Sequence, residues 1–129
     1  MTHTKPTVMA TLLDTPKNSK LKEFFVGQLQ DIYWAEKKLV KVLPKLEEAA
    51  SSFQLKEAFR LHLAETRNHV NRLINVFDLV DESVAATKCP VMSGIAEEGE
   101  DIIEETDEGT AQRDVGLIFA AQKAEHYEI

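Results

Sequence analysis

Two long helical stripes joined by a link of about three residues constrain this chain more than any other feature. Leu21, Phe25, Leu29, Ile32, Glu36, Leu39, Leu43 and Leu46 recur at steps of three or four. That spacing predicts an amphipathic helix of about seven turns, from an N-cap at Ser19 to near Ala50. Pro44 lies inside it, where it removes one backbone hydrogen bond and favours a kink one turn earlier. Ser51 and Gln54 then form a Ser-x-x-Gln capping pattern. A second stripe follows through Leu55, Phe59, His62/Leu63, Thr66, His69/Val70, Leu73, Val76/Phe77 and Val80. So short a link leaves the two helices no arrangement but antiparallel neighbours.

The remaining elements are shorter. Residues 81–89 read as a polar connection, and Pro90 suits the first turn of a helix. Met92, Ile95, Ile102 and Ile103 mark a helix of about four turns. Its other side is acidic, with Glu97, Glu98, Glu100, Asp101, Glu104 and Glu105, and reads as a solvated face or a cation-attracting one. Asp107–Gly109 breaks the pattern. A last helix starts near Thr110, with Val115, Ile118, Ala121, Gln122, Glu125 and Ile129 taken as its stripe. It carries no glycine stop and no terminal Lys or Arg, so it is still running at Ile129. Residues 1–18 show no sustained period and read as a flexible tail, leaving 19–129 as one helical domain.

Charge and composition exclude several functions. The net charge is −7, and no basic cluster is longer than Lys37-Lys38, which argues against nucleic-acid binding. No apolar run approaches the ~20 residues of a membrane span, and Met1–Leu13 lacks the pattern of a signal peptide. The single cysteine, Cys89, precludes an intrachain disulfide, reads as structural and fits a reducing, cytoplasmic setting. Neither a phosphate-binding glycine loop nor a nucleophile arrangement is present.

Chemistry is concentrated in a few glutamates. Glu36 interrupts the first apolar stripe, Glu65 flanks the second one turn before His69, and Glu125 continues the expected phase of the last helix. Each follows an alanine (Ala35, Ala64, Ala124), a neighbour small enough for close helix approach. Counted outward from the link, Glu36 and Glu65 differ in height by only ~5 Å. Buried carboxylates lose hydration and repel one another, a cost that a metal ion offsets. Mixed Glu and His ligands suit iron or manganese. The alternative is ordinary: Glu36 pairs at a helix boundary with Lys37, Lys38 or Lys41, and Glu65-x-x-x-His69 holds nothing. His62, Tyr33, Trp34 and Tyr127 read as packing or hydrogen-bonded residues.

Four segments carry a family resemblance: LKEFFVGQLQDIYWAEKKLVKVLP (21–44), LAETRNHVNRL (63–73), KCPVMSGIAEEGEDIIEE (88–105) and RDVGLIFAAQKAEHYEI (113–129). They resemble the YciE/YciF-like bacterial stress proteins. The resemblance implies an all-α, ferritin-like antiparallel bundle with a crossover helix, formed here by residues 90–105. It implies a di-iron-type site using Glu36, Glu65 with help from His69, Glu125 and Glu128, with iron or manganese as cofactor. It also implies a stress-response role and a homodimer. Family members extend the third bundle helix past the position of Ile129 and add a fourth with further carboxylates, so the expected bundle lacks its final helix and leaves an apolar groove. Two functions are expected on this basis: a di-metal carboxylate protein with Fe(II)/O₂ or peroxide chemistry, or a metal-free helical stress protein that self-associates.

Overall fold

The computed structural model describes residues 19–129; the expected flexible tail, 1–18, lies outside the described residues. Four helices follow in order among them: α1 (Ser19–Ala49), α2 (Phe53–Leu79), α3 (Pro90–Glu105) and α4 (Ala111–Glu128). No strand occurs among the described residues. The all-α expectation stands. No helix among them is long and apolar enough to cross a membrane.

α1 and α2 form the antiparallel hairpin that the short link demands, and α1 runs uninterrupted through Pro44. The link is built one residue later than the capping pattern suggests. Ser52, not Ser51, caps α2, its Oγ accepting from Leu55 N at 3.3 Å. Ser51 is occupied elsewhere. Its backbone N–H and hydroxyl donate to Asp114 at 2.8 and 2.9 Å, and Ser52 N–H donates to the same carboxylate at 2.9 Å. Burial pushes the Asp114 carboxyl up, but these donors and the charge of Lys56 outweigh it and hold it below its ordinary value. One acidic side chain in the first turn of α4 thus ties that helix to the hairpin link.

The connection after α2 turns at Asp81 (φ 59°) and is pinned to α1 by Thr87, whose N–H donates to Gln30 O at 3.1 Å. Cys89 caps α3 and Pro90 fills its first turn, as expected. α3 packs across α1 and against α4 as a crossover. The α3–α4 corner turns through Gly109 (φ 79°). It is closed by Arg113, whose Nη2 donates to Ile103 O and Thr106 O, both at 2.6 Å. Thr110 caps α4, accepting from Arg113 N at 3.2 Å.

Leu39, Val42, Leu43, Leu46, Phe59, Leu63, Met92, Ala96 and Leu117 form the main core. A smaller cluster of Leu29, Phe77 and Val80 closes the other end of the hairpin, with Tyr33 edge-on to Phe77 at 5.8 Å between ring centroids. Two stripe assignments change. Leu21 and Ile32 are exposed, because Ala35, Leu39 and Val42 set the buried side of α1. In α4 the buried residues are Leu117, Ala120 and Ala124, whereas Val115, Ile118, Gln122 and Glu125 face outward. The helix presents small side chains to its neighbours, and the larger apolar ones misled the phase.

Close packing of α3 on α4 yields a contrast between two glycines. A Cβ at Gly116 would stand 2.8 Å from Ile102 Cγ2, whereas one at Gly27 meets nothing within 4 Å. Gly116→Ala is expected to destabilise, since overpacking costs about 1–3 kcal/mol and helix propensity returns only about 1. Gly27→Ala is expected to stabilise by about 0.5–1 kcal/mol. Urea midpoints of the two variants check both signs.

Candidate metal centre

Glu36, His69 and Glu128 converge from three helices. One ligand atom from each lies within 4.8 Å of the others. His69 Nδ1 stands 3.0 Å from Glu36 Oε1 and 3.8 Å from Glu128 Oε2. Glu36 sits among core residues of α1 between Ala35 and Leu39 and is 4% exposed. His69 is level with it across the hairpin, and Glu128 extends the buried side of α4 one turn past Ala124.

Glu65 and Glu125 are not drawn into this cluster; both side chains are exposed. On α2 the buried face centres on Thr66. At about 100° per residue, Glu65 lies about 100° from that centre and His69 only about 60°. In α4, Glu125 is likewise about 100° round from Ala124, whereas Glu128 is about 40° away. Both glutamates remain close enough for their charges to act on His62. Ala35 and Ala124 are buried at helix contacts, but Ala64 is exposed, so the small-neighbour argument holds for two of the three pairs.

His62 belongs to the same network, and the sequence reading had assigned it only packing or a hydrogen bond. Its Nε2 lies 3.1 Å from Glu128 Oε1. It stands seven residues before His69, about 20° off in phase, and that spacing was the available signal. Tyr33 instead packs on Phe77 and beneath Lys37. Tyr127 places its hydroxyl 3.4 Å from Cys89 Sγ, and burial pushes its phenol upward.

Electrostatics reflect crowding of acids. Burial, then the hydrogen bond and charge of Glu128, push the Glu36 carboxyl up to about 8. Burial also raises Glu128, but the His62 bond, the Glu36 bond and the fields of His62 and His69 hold it below its ordinary value. The Glu128 bond outweighs burial at His62 and raises its imidazole. The two carboxyls therefore share one proton at neutral pH. One atom is left over: Glu128 Oε2 is buried, and apart from the proton shared with Glu36 no donor among the described residues reaches it.

Fold and cluster together define a helical bundle protein with an internal carboxylate–histidine group. Residues 20–129 match the model of a family described as a domain of unknown function, DUF892, and the chain belongs to that family. It is 40% identical over 110 residues to protein YciF of Escherichia coli K12, covering 84% of this chain and 66% of YciF. The crystal structure of that E. coli stress protein superposes with a TM-score of 0.76, at 40% identity over 83% of this chain and 67% of the other. YcfI from Rhodopseudomonas palustris, provisionally described as a structural protein, gives a TM-score of 0.78 at 32% identity, over 83% and 68%. The chain thus spans about two thirds of the length of these relatives.

Proposed function

We propose that the chain is a stress-related metal-binding bundle protein in which Glu36, His69 and Glu128 hold Fe(II) or Mn(II). The observation that carries this reading is the convergence of Glu36, His69 and Glu128, in which two largely buried carboxyls meet an imidazole and Glu128 Oε2 has no donor but the proton shared with Glu36. Two adjacent buried carboxyls lose hydration and repel one another when both ionise, and a cation between them offsets that cost. His69 Nδ1 and Glu36 Oε1 are hydrogen-bonded at 3.0 Å, and all three candidate ligand atoms lie within 4.8 Å of one another, close enough to face one ion. Two oxygens and one nitrogen suit iron or manganese rather than a thiolate-rich zinc site.

Glu36 in its ionised form, His69 through Nδ1 and Glu128 through Oε2 would hold the cation. Glu65 and Glu125 lie outside this group and act on it only through their charge at His62. When bound, iron would supply one-electron chemistry toward dioxygen or peroxide.

The second reading is a metal-free bundle that self-associates, as a dimer, in the cytoplasm. It is favoured by the exposure of Val115, Ile118 and Phe119 along α4 and of Leu61 on α2. Large apolar side chains left exposed on these helices suit burial against a second copy of the chain.

Thermal melts with and without anaerobic Fe(II) or Mn(II), at several protein concentrations, separate the two. The metal reading expects stabilisation of about 2.7 kcal/mol at a hundredfold excess over Kd, with stoichiometric metal by elemental analysis. A melt that ignores metal and rises with protein concentration supports the self-associating reading instead.

A further inference from the structure

We propose that His62 is a positioning residue for this centre, fixing the Glu128 carboxylate so that Oε2 alone is offered to a cation. The inference rests on the metal reading above and adds a residue to it. His62 Nε2 lies 3.1 Å from Glu128 Oε1, with the two side chains only 10% and 16% exposed. Glu128 Oε2, on the same carboxylate, lies 3.8 Å from His69 Nδ1. One oxygen is thus held by His62 and the other is turned toward His69.

Glu128 needs such a partner. A glutamate side chain has three rotatable bonds and loses rotamer freedom when it is ordered. His62 sits in mid-helix. Its carbonyl accepts from the buried Thr66 hydroxyl at 2.7 Å, and its ring is fixed against the core. An imidazole on α2 therefore sets the orientation of a flexible carboxylate on α4. For His62 to donate, its Nε2 carries the proton, so that this nitrogen is no ligand.

Mn(II) affinity by calorimetry, on the whole chain of wild type, His62→Phe and His62→Gln, tests the assignment. His62→Phe is expected to weaken binding about 10–100-fold, the usual consequence of losing a ligand's hydrogen-bond partner. His62→Gln places an amide N–H near the lost Nε2–H, and is expected to recover affinity to within about threefold. Circular dichroism confirms folding, and His62→Leu replaces the Phe variant if that chain is unfolded. Wild-type affinity in folded His62→Phe or His62→Leu overturns the proposal. Equal weakness of folded His62→Gln and His62→Phe also overturns it, because an imidazole that Gln cannot replace is a ligand. Absence of Mn(II) binding in the wild type overturns the metal reading itself, and the positioning role with it.

Discussion

Replacing Glu36 with glutamine is expected to abolish cation binding and, without metal, to make the protein more stable at pH 8 than the wild type. Glu36 is buried, and its carboxyl is raised from 4.5 to about 8. The folded state therefore holds a proton that the unfolded chain has released over that interval. Stability consequently falls as pH rises, by roughly 1 kcal/mol per pH unit between about pH 5 and pH 8. His62 is also raised above its ordinary value, so its contribution is present below 6.5 and is lost as pH rises further. Glu128 is lowered, so its contribution is present above 4.5 and is lost in acid. The metal-free wild type should be most stable near pH 5 and weaken toward pH 8. A glutamine keeps the shape and can still donate to Glu128, but has no proton to lose, so only the milder His62 slope should remain above pH 6.5. Urea unfolding in chelator at pH 5.5, 7 and 8 measures this. An unchanged slope in the variant, or retained metal, removes Glu36 from the role assigned to it.

Phe77→Ala is expected to cost about 3–5 kcal/mol and to lower Tm by about 10–20 °C. Phe77 is fully buried and centres the smaller core, with Leu29 and Val80 around it and the Tyr33 ring edge-on. No other large buried side chain can fill that space, and Tyr33 would lose its partner one turn before Glu36. Calorimetric melting tests the value, and a loss below about 1 kcal/mol would mean that this end of the hairpin collapses to close the cavity.

The hairpin and two of the helix starts were legible because local chemistry decides them, whereas the crossover was legible only through the family resemblance. Pro90, Thr110 and the short link allow few alternatives. Glu36 was legible because a charged residue within a strongly apolar stripe has no other explanation than burial or a boundary pair. Its partners were harder. Glu65 and Glu125 each lie about 100° from the buried centre of their helices, an error of one residue in phase. In α2 the polar Thr66 is the most buried position, and hydrophobicity does not mark it. In α4 the core side is made of alanines and one leucine, while Ile118 and Phe119 point away. Apolar residues on both sides erase the periodic signal, so Glu128 was placed behind Glu125. The Ser51–Asp114 bonds, which move the cap to Ser52, join residues 63 apart, and no local pattern encodes them.

Glu36 and His69 are brought together by the hairpin alone, 33 residues apart. Glu128 comes from α4, 66 residues beyond His62, and joins them only where α4 is docked. A cation that needs all three donors cannot recognise the hairpin by itself. It would act as a latch between α4 and the hairpin, slowing the undocking of α4.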